Sequence, residues 1–120
     1  MQLEEMRDAV QQSLDDAKAL DVVTLDVRAL TDVADYMVIA SGTSKRHVSA
    51  IADRVADHMR LLGVRAMGTE GRTEGEWVLV DFGYIVVHVM YPQTREFYGL
   101  EKLWSEELVR PVLAARAPRA

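Results

Sequence analysis

The sequence predicts a single α/β domain: a mixed five-stranded sheet with flanking helices. Two stretches carry apolar residues at steps of three and four, the mark of one-faced helices. Between and after them lie short β-branched runs, two of which are separated by only two residues, as in a hairpin. The chain has 120 residues, 49% of them hydrophobic. It shows neither an internal repeat nor a Pro/Gly/Ser-rich linker, so one core accommodates it.

The first helix is read from Leu3, Met6, Val10, Leu14, Ala17 and Leu20, with Glu4, Glu5, Asp8, Asp15 and Asp16 on the wet side. The early acids suit the positive end of the helix dipole. Val22 to Val27 is short and β-branched, hence a strand. A polar connection, Arg28 to Asp35, leads into Tyr36 to Ala40, which is apolar on both faces and therefore central in the sheet. Thr43 or Ser44 caps the second helix, which carries Val48, Ile51, Ala52, Val55, Ala56, Met59 and Leu62 on one face and is closed by Gly63. Val64 to Met67 is a weak third strand, and Gly68 to Gly75, with three glycines, a flexible loop. Trp77 to Phe82 and Ile85 to Tyr91 are the clearest strands, and Pro92 ends them. Thr94 to Leu103 reads as a short helical turn or two. Ser105 to Ala115 reads as a C-terminal helix interrupted by Pro111, and 114–120 as a frayed basic tail after a domain spanning 1–113.

Gly83-Tyr84 between two β runs predicts a two-residue hairpin with glycine first, as a type II′ turn wants. Phe82 then faces Ile85, Val80 faces Val87 and Val78 faces Val89; with Tyr91 beyond, these form a core face for the two helices. The opposite face carries Trp77, Leu79 and Asp81 beside Met90, His88 and Val86. A solvated face should be polar, and this one is mostly apolar. Either another helix covers it as a second core layer, or part of it is open to a protein partner, with Trp77 as its foremost anchor.

The formal net charge is −5, divided into −6 over residues 1–35 and +1 over the remaining 85. Such a chain gains little from the phosphate attraction that drives general nucleic-acid binding, and its field favours a basic partner. The absence of cysteine removes disulfides, thiolate nucleophiles and cysteine-ligated zinc. No apolar run approaches the roughly 18 residues of a membrane span. The first residues lack the basic and apolar regions of a signal peptide, so a cytoplasmic location is expected.

Catalysis finds little support. Ser41-Gly42-Thr43-Ser44-Lys45-Arg46 sits between a strand and a helix, where a phosphate could bind, and a nucleotide-binding or nucleotidyl-transfer enzyme is the alternative reading. The segment lacks P-loop spacing, and Arg46 stands where a nucleophile elbow needs glycine. A capped helix start explains it more simply. No predicted strand carries the alternating carboxylates of a two-metal site. Glu74-Gly75-Glu76 falls on a loop, and Asp53 and Asp57 read as a wet helix face. His47 and His58 lie about 16 Å apart along one helix. His88 stands alone on the sheet. Neither cofactor nor metal is expected.

Three stretches together resemble the ribosomal silencing factor family, also called the RsfS or Iojap family: Asp35-Tyr36-Met37-Val38-Ile39-Ala40-Ser41-Gly42-Thr43-Ser44 with Arg46-His47-Val48; Trp77-Val78-Leu79-Val80-Asp81-Phe82-Gly83 with Val86-Val87-His88-Val89; and Arg95-Glu96-Phe97-Tyr98-Gly99-Leu100-Glu101-Lys102-Leu103-Trp104. Their order and spacing match from about residue 5 to residue 108. Tyr84 departs from the pattern, which usually has an acidic or small polar residue after the glycine. The resemblance implies a nucleotidyltransferase-like fold lacking the active site. It also implies a non-enzymatic translation repressor that binds the large ribosomal subunit through ribosomal protein L-fourteen and blocks joining of the small subunit. Carried over by position, the partner surface comprises Trp77, Leu79, Asp81, His88, Tyr91, Arg95 and Tyr98. Trp77 and Tyr98 are its expected aromatic anchors, with Asp81 and Arg95 supplying charged hydrogen bonds. Leu100, Leu103 and Trp104 are expected to pack the C-terminal segment onto the sheet. Self-association through the Trp77 face is compatible with this reading.

Overall fold

The computed structural model describes residues 1–103. The expected C-terminal helix and tail, the Leu103 side chain and Trp104 lie outside the described residues. In chain order the elements are α1 (Leu3–Asp16), β1 (Leu20–Asp26), β2 (Tyr36–Ser41), α2 (Lys45–Leu61), β3 (Gly68–Glu70), β4 (Trp77–Asp81), β5 (Ile85–Met90), α3 (Pro92–Tyr98) and α4 (Leu100–Leu103). The five strands form one mixed sheet in the order β1-β2-β5-β4-β3, with β2 and β5 parallel and every other pair antiparallel.

Every residue of β2 and β5 is buried, which is why both read as apolar runs, broken only by Ser41 at the end of β2 and by His88 within β5. The edges are blunted: β1 carries a register shift between Leu20 and Val23, and β3 has only three residues. On one face α1 contributes Met6, Val10 and Leu14, and α2 contributes Val48, Ile51, Ala52, Val55 and Met59. They pack against Val78, Val80, Phe82, Ile85, Val87 and Val89. The hairpin is the one its glycine predicts: Val78 pairs with Val89 and Val80 with Val87. Gly83 has φ +88°, Tyr84 has no positive φ, and Phe82 N–H reaches the Ile85 carbonyl at 2.9 Å.

The first helix stops at Asp16, short of the predicted Leu20. Lys18 adopts φ +61°, and the Lys18 and Ala19 amides turn back to the Asp15 and Leu14 carbonyls at 3.0 and 2.9 Å. This closing motif normally uses glycine. The expected strand at Val64 to Met67 is also displaced. The Val64 amide bonds back to the Met59 carbonyl at 2.8 Å, so the chain reaches the sheet edge only where the Met67 amide meets the Asp81 carbonyl at 2.6 Å. The ladder of β3 therefore falls on Gly68–Glu70, inside the segment expected to be loop.

The rest of that segment is strapped to α2. Ser49 Oγ donates to the Arg72 carbonyl at 2.8 Å, Arg72 pairs with Asp53 at 2.6 Å, and Lys45 pairs with Glu76 at 3.0 Å. Two glycines permit the close approach. At Gly71 (φ +82°) a Cβ would stand 2.0 Å from the Trp77 carbonyl oxygen, and at Gly75 (φ +72°) 2.5 Å from the Lys45 carbonyl oxygen. The strap thus fixes the backbone where β4 begins, at Trp77.

Candidate functional site

The second sheet face is sealed at its centre and partly open at its margin. Met37 and Ile39 of β2 and Val86 and Met90 of β5 are buried with Val27 and Ala34 from the β1–β2 connection and Leu100 of α4. Leu100 is 5% exposed, in line with its expected packing role. Along β4, Trp77, Leu79 and Asp81 remain half-exposed. Both readings of this face hold in part: the chain's own segments cover β2 and β5, and β4 is left at the border.

An aromatic chain occupies that border. The Trp77 indole N–H donates to His88 Nδ1 at 2.9 Å, and its ring centroid lies 5.0 Å from that of Tyr98. Tyr98 in turn meets Phe97 edge-on at 5.0 Å. Tyr98 is 56% exposed and Phe97 81%. The helix that presents them starts at Pro92, whose fixed φ suits a first helical position, and ends at Gly99 in the left-handed conformation. Phe97 was not among the predicted contacts. Its signal lay in that proline-to-glycine helix, too short to bury every large apolar residue it carries.

The predicted residues divide between this border and other places. Trp77, Leu79 and Tyr98 are together on it. Asp81 is on the same strand face, with one carboxylate oxygen accepting the Gly83 amide at 2.7 Å and so bracing the hairpin. His88 is 5% exposed, which corrects its expected place on the surface: it lies beneath the indole. Tyr91 packs against the helix-covered cluster, the face to which the strand's alternation assigns it, and this corrects the place on the partner surface that the family resemblance implies for it. Arg95 is an internal brace. Its side chain, 11% exposed, pairs with Glu101 and donates to Ser41 Oγ at 2.8 Å, tying α3 to α4 and to the end of β2.

Electrostatics at His88 follow from burial. Loss of water pushes the imidazole down to about 4. The indole donor needs a lone pair on Nδ1, so the neutral ring carries its proton on Nε2. That Nε2 is buried and has no hydrogen-bond partner among the described residues. An orphaned donor of this kind costs about 1–3 kcal/mol, which an apolar residue at 88 would avoid.

The Ser41–Arg46 segment behaves as a helix start. Ser44 Oγ accepts the His47 amide at 3.0 Å and Lys45 is paired with Glu76. His47 bridges the helices, with Nδ1 2.9 Å from the Thr43 amide nitrogen and Nε2 3.1 Å from the Ala17 carbonyl oxygen. An open cleft of about 460 Å³ beside α3 is lined in part by Ser41, Arg95 and Glu101, where the guanidinium is already engaged. Among the described residues no group of three or more His, Asp or Glu could hold a metal ion. No described helix is long and apolar enough to cross a membrane.

Against known proteins, residues 1–119 match the family model described as "Ribosomal silencing factor during starvation", RsfS. The chain belongs to the ribosomal silencing factor family. A Ribosomal silencing factor RsfS from Chromobacterium violaceum is 39% identical over 119 residues, covering 99% of this chain and 96% of that protein. A crystal structure of a Chromobacterium violaceum protein superposes with a TM-score of 0.85 at 41% identity, covering 87% of each chain. A mouse relative named "Mitochondrial assembly of ribosomal large subunit protein 1" is 39% identical over 90 residues, covering 72% of this chain and 40% of that longer protein. The general role of this chain is that of a ribosomal silencing factor.

Proposed function

We propose that this RsfS protein represses translation by docking the β4 border on ribosomal protein L-fourteen of the large subunit, where it sterically blocks joining of the small subunit. The observation that carries the reading is the half-open aromatic chain of Trp77, Tyr98 and Phe97 on a face otherwise closed by the chain itself. Trp and Tyr are favoured anchors because they bury much area for few frozen torsions. Trp77, Leu79 and Tyr98 make the apolar contact, and Asp81 offers a carboxylate oxygen to a basic partner. The net charge of −5 favours the same kind of partner. The fold is that of a nucleotidyltransferase-like domain without the active site, working in the cytoplasm. Self-association through the same border would compete with docking.

The test adds purified protein to a translation extract and measures the proportion of joined ribosomes by gradient sedimentation. A dose-dependent fall, together with direct capture of ribosomal protein L-fourteen, is the expected result. An unchanged proportion of joined ribosomes at saturating protein overturns the reading.

A further inference from the structure

We propose that His88 is a positioning residue: its Nδ1 holds the Trp77 indole N–H, fixing the angle at which the ring is offered to the ribosomal partner. This rests on the docking reading above, and it replaces a surface contact at position 88 with an action exerted through Trp77.

Three observations combine. In the β4–β5 register Trp77 pairs with Met90 and Leu79 with His88, so His88 is the diagonal neighbour of Trp77 on the same sheet face. The two rings are 5.9 Å apart at a tilt of 48°, with a 2.9 Å hydrogen bond between them. An N–H donor holds a ring by direction as well as distance, whereas an apolar neighbour leaves rotation about the side-chain torsions free. The indole's other ring neighbour is Tyr98, itself more than half-exposed and therefore a weak clamp. The buried bond is the stronger constraint.

The unpartnered Nε2 argues the same way. Position 88 lies in a strand whose other residues are all apolar, and an apolar residue there would leave no donor unmatched. The histidine brings one thing that valine or leucine cannot: an acceptor within reach of the Trp77 indole.

Nitrogen NMR of the unaltered full chain tests the bond directly. The expected result is an Nε2-protonated ring at neutral pH with a through-hydrogen-bond coupling between Trp77 Nε1 and His88 Nδ1. A ring protonated on Nδ1, or no coupling, overturns the proposal without any variant having to fold. For docking, His88→Leu should weaken co-sedimentation with large subunits by about tenfold or more and erase the indole signature. His88→Asn, whose amide oxygen replaces Nδ1, should restore binding to within about threefold. Leu-variant binding equal to the unaltered chain overturns the proposal. If His88→Leu does not fold, Trp77→Phe breaks the same bond from the exposed side, and its binding should not change further when combined with His88→Asn; a further loss overturns the proposal. Failure of the unaltered chain to bind large subunits overturns the docking reading instead, and the coupling then decides the histidine–indole bond alone.

Discussion

Trp77 sits where three constraints meet. Gly71 lets the preceding loop approach its carbonyl, His88 holds its N–H, and Tyr98 covers one side of its ring. Truncation removes the largest side chain of the border and little of the buried core. Trp77→Ala should therefore weaken large-subunit binding by about 2 kcal/mol or more while the chain stays folded. Co-sedimentation alongside circular dichroism checks this; normal binding by the folded variant would refute the anchor role. At Gly71 the effect is opposite in kind. Alanine there must both hold φ near +82° and displace the Trp77 carbonyl, so Gly71→Ala should cost stability first. A loss of more than about 1 kcal/mol in urea unfolding is expected.

At the scale of elements, α2 organises the site although it lies on the other face of the sheet. It carries Lys45, Ser49 and Asp53, which strap the Arg72–Glu76 segment and so set where β4 begins. Its own start depends on Ser44, whose hydroxyl accepts the His47 amide, and Ser44→Ala should cost about 1 kcal/mol in chemical denaturation. A nucleoside triphosphate with magnesium should leave the melting temperature unchanged, because the Lys45 ammonium and the Ser44 hydroxyl already have partners. A saturable rise would revive the nucleotide-binding alternative. The strap residues could not be recognised in advance. Arg72 and Glu76 stand in a stretch with three glycines, and nothing local to such a stretch says that a helix lies beneath it. Solvated charge was the natural expectation.

For the molecule as a whole, the buried imidazole couples stability to pH. His88 titrates near 4 in the folded chain against an ordinary value of 6.5. Below pH 6.5 the unfolded chain takes up a proton that the folded chain refuses. The stability this histidine contributes is complete above pH 6.5 and is lost as pH falls toward 4, by about 3 kcal/mol. Urea unfolding between pH 7.5 and 4.5 should show this decline, and His88→Asn should flatten it. The charge of −5 acts at the same scale, and raised salt should slow association with a basic partner more than it speeds release.

Local rules were enough for the two amphipathic helices, the central strands β2 and β5, the Gly83 hairpin and its register, because each is set by side-chain periodicity or by one residue's permitted torsions. The family motifs were equally legible. Tertiary structure alone decided which β4 side chains stay half-open, that His88 lies under the indole, and that Arg95 is drawn inward by Glu101 and Ser41. These outcomes depend on where chain distant in sequence comes to rest: the β1–β2 connection and Leu100 close the centre of the second face and stop short of its margin. Periodicity shows that a face is apolar. What covers it is settled by packing among segments whose separation along the chain erases any local signal.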